Sequence, residues 1–114
     1  MTHFFTPEEA NKVLPKIRDL VNGAVETKKK LEYATDKERK GCLDRLSVLM
    51  GKINVTGVEL KDLETGLVDF PAMRFNEPVY LCWKLGENEI LYWHEVSAGF
   101  KGRKVLKPQV TVLP

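Results

Sequence analysis

Apolar residues in the first half of the chain recur at steps of three and four. Ala10, Leu14, Ile17, Val21, Ala24 and Leu31 fall on one stripe of a helix, with Lys28 the only gap. Thr6-Pro7-Glu8-Glu9 stands at its start. Thr6 is placed to cap, Pro7 suits a first helical position whose N–H has no partner, and Glu9 is placed to return a hydrogen bond. The pattern predicts a helix over about 7–33. Pro15 removes one internal hydrogen bond, so a kink or a first segment of about two turns is expected. Thr35-Asp36-Lys37-Glu38 repeats the start signal, and Leu43, Leu46, Met50, Ile53, Gly57 and Leu60 continue the alternation. A second helix is expected from about 36 to at least 55, ended by Gly57 in a left-handed cap. The short link makes the pair an antiparallel hairpin.

The second half changes period. Val58 to Asp62 reads as a strand in preference to more helix, and Glu64-Thr65-Gly66 as a turn. Leu67 to Met73 is extended, with Pro71 calling for an edge position or a bulge. Phe75 to Pro78 turns the chain. Val79–Lys84 and Ile90–Val96 are strands rich in aromatic and branched residues, joined by a short hairpin loop at Gly86–Glu89. Centring that hairpin on Glu87 sets Tyr80 opposite His94 and Cys82 opposite Tyr92. Trp83 and Trp93 then share a face with Leu81 and Leu91, which reads as core packed on the helices. Val110–Leu113 is at most a frayed terminal strand.

These elements make one α+β domain. An antiparallel two-helix hairpin spans about 6–56, an antiparallel β-meander of three to four strands about 57–106, and a tail 107–114. The hairpin is about 40 Å long at 1.5 Å per residue, the sheet only about 20 Å along each strand. The remainder of the heptad-like apolar stripe is therefore expected to pair with a second copy.

Charge sharpens this picture more by its placement than by its net value of +2. The segment 26–58 is basic, 59–95 acidic, and 96–114 carries Lys101, Arg103, Lys104 and Lys107 with no acid. An acidic meander repels a phosphate backbone, so nucleic-acid binding would fall to the Lys28–Lys30 helix face and the tail. No apolar run is long enough to span a membrane. The N-terminus does not read as a secretory signal, so the chain is expected in the cytoplasm. Cys42 and Cys82 have no CxxC spacing and read as buried, reduced thiols.

Candidate chemistry gathers on the meander. His94 is the one histidine outside the N-terminus and is suited to act as a base or ligand. Glu95, Asp69 and Glu87 are its candidate partners, Tyr80 its cross-strand neighbour, and Arg103 a candidate for binding an anionic group. Strand parity puts His94 and Tyr92 on one face and Trp93 and Glu95 on the other. The register of Asp69 stays open. No HExxH, GxSxG, P-loop or dinucleotide spacing is present, so no metal or cofactor is assigned.

Several strings carry a family resemblance: Phe5-Thr6-Pro7-Glu8-Glu9-Ala10-Asn11, Leu67-Val68-Asp69-Phe70-Pro71, Leu81-Cys82-Trp83-Lys84-Leu85-Gly86-Glu87, Trp93-His94 and Gly99-Phe100-Lys101-Gly102-Arg103. Over about residues 4–106 the chain resembles a small family of uncharacterised bacterial and archaeal proteins, a domain of unknown function. Some of its members are labelled division initiation protein. The resemblance implies a standalone small protein and brings no catalytic residues with it. The leading functional expectation is a self-associating adaptor with a possible protein partner. A small enzyme or ligand- or metal-binding protein centred on His94 is the alternative, and nucleic-acid binding the third.

Overall fold

The computed structural model describes residues 2–106. Lys107 and the expected strand at 110–113 lie outside them. Helix α1 spans Pro7–Glu32 and helix α2 Asp36–Asn54. Both open with a capping box. Glu9 N–H donates to Thr6 Oγ1 at 3.1 Å and Thr6 N–H to the Glu9 carboxylate at 2.9 Å. Glu38 and Thr35 repeat the exchange at 3.3 and 3.0 Å. Each box satisfies two amides that no helical carbonyl reaches. α1 runs through Pro15 without a break, so the short first segment does not form. Pro15 is exposed and stays off the buried stripe, so its ring and missing N–H do not disturb the core. Beyond α2 the chain turns at Gly57, whose φ of 89° is left-handed.

The strands are β1 Glu59–Asp62, β2 Leu67–Arg74, β3 Glu77–Lys84, β4 Tyr92–Glu95 and β5 Lys104–Val105. They form an antiparallel meander in chain order. That is one strand more than expected. A one-turn 3-10 helix at Phe100–Gly102 returns the chain so that Lys104 and Val105 pair with Trp93 and Tyr92.

The β3–β4 register is the one a hairpin centred on Glu87 requires: Tyr80 pairs with His94 and Cys82 with Tyr92. The connection is longer than expected, because Ile90 leaves the ladder. Its N–H donates to Asn11 Oδ1 at 2.8 Å and its side chain enters the core. Leu91 is consequently exposed and does not share the Trp83 face. Pro71 sits where its chemistry requires. The β1–β2 ladder begins only at Glu59 with Asp69, so nothing pairs with Pro71 on that side. Its carbonyl there accepts from Phe5 N–H at 2.7 Å.

α1 covers one face of the sheet. Leu14, Ile17 and Val21 pack against Val68, Phe70, Leu81, Trp83 and Trp93 in a single core. α2 flanks α1, with Leu46 and Leu49 buried against Ala24 and Ile53 reaching the main core. The expected stripe of α2 is rotated in practice. Leu49 is buried, whereas Leu43 and Met50 face out, because α1 alone covers this helix over most of its length.

Candidate functional site

The face of the sheet away from α1 holds the chemistry. Alternation along the strands sends Asp69 of β2, Tyr80 and Cys82 of β3, and Tyr92 and His94 of β4 to this side. The ladders place Asp69 directly opposite Cys82 and His94 opposite Tyr80. His94 reaches diagonally across β3, so its Nε2 lies 3.0 Å from both carboxylate oxygens of Asp69. Its Nδ1 lies 2.7 Å from the carbonyl oxygen of Glu95. The donor atoms of Asp69, Cys82 and His94 all lie within 4.8 Å of one another. The three residues are 3%, 0% and 1% exposed.

This geometry fixes a proton count. A carbonyl oxygen only accepts, so Nδ1 carries the hydrogen bonded to Glu95. Nε2 then faces a carboxylate that also accepts. A cation, either a proton or a metal ion, has to sit between them for the contact to be attractive. Burial and the neighbouring Asp69 charge push the Cys82 thiol up to about 12, against the opposing pull of Arg103. With no metal bound the thiol is therefore protonated at neutral pH and is no nucleophile.

A second cluster closes one end of this face. Arg103 grips Glu87 with both ends of its guanidinium, Nη1 to Oε2 at 2.8 Å and Nη2 to Oε1 at 2.6 Å. Nη2 also donates to the Cys82 carbonyl at 3.2 Å. The guanidinium lies over the rings of Tyr92 and Phe100, 4.0 and 4.7 Å from their centroids. Burial by itself would raise the Glu87 carboxyl. The Arg103 bonds and the Lys84 N–H outweigh it and hold the group below the usual range. Glu87 is positioned by its own turn, since Trp83 Nε1 donates to its carbonyl at 2.8 Å.

Asp69 and His94 meet directly. Tyr80 stacks obliquely on His94, ring centroids 5.5 Å apart, and donates its hydroxyl to Glu59 at 3.0 Å. Burial and that carboxylate raise its phenol. Arg103 finds its anion within the chain, at Glu87. Glu95 offers His94 only its backbone carbonyl; its side chain points to the other face and meets Lys104. Glu59 and Cys82 were not among the expected site residues. Cys82 had a signal, since the same register that pairs Tyr80 with His94 puts Cys82 on His94's face.

Several surface grooves lie elsewhere among the described residues. One of about 600 Å³ has Trp93 in its wall with Arg74, Phe75, Pro78, Val79 and Glu95. The Arg74 guanidinium lies 4.3 Å from the Trp93 ring centroid. At its rim the β2–β3 turn sets Phe75 and Asn76 at φ 50° and 64°, and Phe75 is 85% exposed. Another groove, about 340 Å³, runs between Met50 and Ile53 of α2 and Val58 and Leu60. Neither touches Asp69 or His94.

No helix among the described residues is long and apolar enough to cross a membrane. No curated protein and no solved structure matches the chain. The model of one family, described as uncharacterized conserved protein (DUF2203), matches residues 3–106. That span takes in both helices, the whole sheet and the buried polar cluster, and the chain belongs to this family of unknown function.

Proposed function

We propose that the chain is a small cytoplasmic adaptor that self-associates through its helical hairpin and recognises a protein partner with its sheet. The observation that carries the reading is the outward apolar flank of α2. Leu43 and Met50 are 45% and 42% exposed, each beside a buried partner, Leu46 and Ile53. Together the four residues keep the alternating three- and four-residue spacing of a coiled-coil seam. A surface helix needing only α1 would carry polar residues there. The hairpin is also longer than the sheet that supports it. Helix α1 extends about 39 Å, an eight-residue strand about 27 Å. A second hairpin would complete a four-helix arrangement and cover the groove beside Met50. The exposed Phe75 beside the Trp93 groove suits partner recognition, because aromatic and arginine side chains dominate such contacts.

A catalytic reading has less support. Asp69 and His94 converge as it requires, but they are buried and neither lines either groove. Nucleic-acid binding loses two of its cations, since Lys28 pairs with Glu64 and Arg103 with Glu87.

The test is the double substitution Leu43→Glu, Met50→Glu, followed by size-exclusion chromatography with light scattering. Both side chains lie outside the protomer core, so the helical circular dichroism should stay unchanged while the dimer dissociates. A variant that keeps the wild-type mass would remove α2 as the interface.

A further inference from the structure

We propose that Asp69, Cys82 and His94 form a binding site for a single transition-metal ion of the zinc type, tying β2, β3 and β4 together from the face opposite α1. The site is independent of the self-association reading. Three observations converge on it. First, the three donors are the ligand types of a borderline-soft ion: imidazole nitrogen, carboxylate oxygen and thiolate sulfur. Second, their separations fit. Two ligands at about 2.0 Å on one tetrahedral ion stand roughly 3.3 Å apart. Nε2 and the Asp69 oxygens are 3.0 Å apart, and the sulfur lies within the same 4.8 Å group. Third, the bond from Nδ1 to the Glu95 carbonyl is the outer contact that metal-binding histidines make. It fixes the tautomer and leaves the Nε2 lone pair aimed at Asp69.

Charge supports the same assignment. A dication replaces the proton between Nε2 and Asp69 and the proton on Cys82 sulfur; both protons leave to solvent and a metal–sulfur bond forms. The carboxylate and thiolate then balance the ion, and the buried cluster stays neutral. Of the neighbouring charges, Arg103 is already matched by Glu87, and Glu59, opposite Asp69 in the ladder, by Lys61. All three ligands stand on paired strands, so little order has to be gained on binding. No fourth ligating side chain joins the group among the described residues, which leaves one tetrahedral position to water or an incoming ligand.

Cobalt(II) is the probe, because a thiolate ligand gives it a charge-transfer band that oxygen and nitrogen ligands do not. The full-length protein is stripped with a chelator. Cobalt(II) is then offered both to the folded chain and during refolding from urea, so that a closed site is not mistaken for a missing one. One equivalent should bind with a thiolate band and raise the melting temperature. Cys42→Ser should behave as wild type. Cys82→Ser should lose the band, and His94→Gln should weaken binding about 10-fold or more. Zinc should compete for the same site. A wild-type protein without a thiolate band overturns the proposal, and so does a band that persists in Cys82→Ser. In either case a proton alone holds the Asp69–His94 pair.

Discussion

Replacing Glu87 with Gln isolates one interaction of the outer face. The amide keeps an oxygen to accept from Lys84 N–H, so the change removes charge and one arm of the guanidinium grip rather than the turn. The Arg103 and Glu87 side chains are 13% and 21% exposed. Breaking a fully buried ion pair costs about 3–5 kcal/mol, because it strands the remaining charge. Partial access to water reduces this, and we expect about 2 kcal/mol for Glu87→Gln. Removing Arg103 as Met should cost a similar amount, and the double variant only slightly more than either. Urea unfolding of the four proteins then gives a coupling energy of about 1.5 kcal/mol. The exposed pair Lys40–Asp44 is the control, expected to show little coupling because water screens it. Arg103→Lys should recover little, since lysine lacks the fork and stacks poorly on Tyr92 and Phe100. The pH dependence has a fixed sign. The Glu87 carboxyl is depressed in the folded state, so its contribution is present above the unfolded value of about 4.3 and is lost as pH falls through the folded one. Glu87→Gln should flatten that acid limb. A coupling no larger than the Lys40–Asp44 control would refute the reasoning.

Three other variants probe the frame. Gly66→Ala should cost about 2–3 kcal/mol in thermal unfolding, because φ is +71° and a Cβ would stand 2.8 Å from Leu85 Cβ and 3.1 Å from Val21 Cγ1; a loss under about 0.5 kcal/mol would contradict this turn. Phe75→Asn with Asn76→Gly should raise stability by roughly 1 kcal/mol, since both positions are left-handed, and should weaken partner binding if Phe75 makes the contact. Thr35→Ala should cost about 1 kcal/mol by removing the cap of α2, read as a lower urea midpoint with an unchanged slope.

The helices were legible because their signals are local. Thr6 with Glu9 and Thr35 with Glu38 announce their own ends, and the stripe through Leu14, Ile17 and Val21 needs only a count of residues. The sheet was legible where a hairpin set the register, which is why Tyr80 was correctly placed against His94. Asp69 was not placeable for a physical reason. Its register depends on the turn at Phe75-Asn76, and phenylalanine at a positive φ gives no signal of a two-residue turn. With that turn known, Arg74 pairs with Glu77 and Asp69 falls opposite Cys82. Leu49 in place of Leu43 and Met50 was also hidden, because the side of α2 that α1 covers depends on how the hairpin closes. β5 escaped notice because two residues carry no period. It forms where the Phe100 turn delivers the chain to β4.

The most direct measurement for the proposed function is the solution mass of the unmodified chain across a dilution series, by sedimentation equilibrium at micromolar concentrations. Pairing through α2 predicts a mass near twice the 13.0 kDa of one chain, falling toward a single chain on dilution. A mass of one chain at every concentration would contradict it.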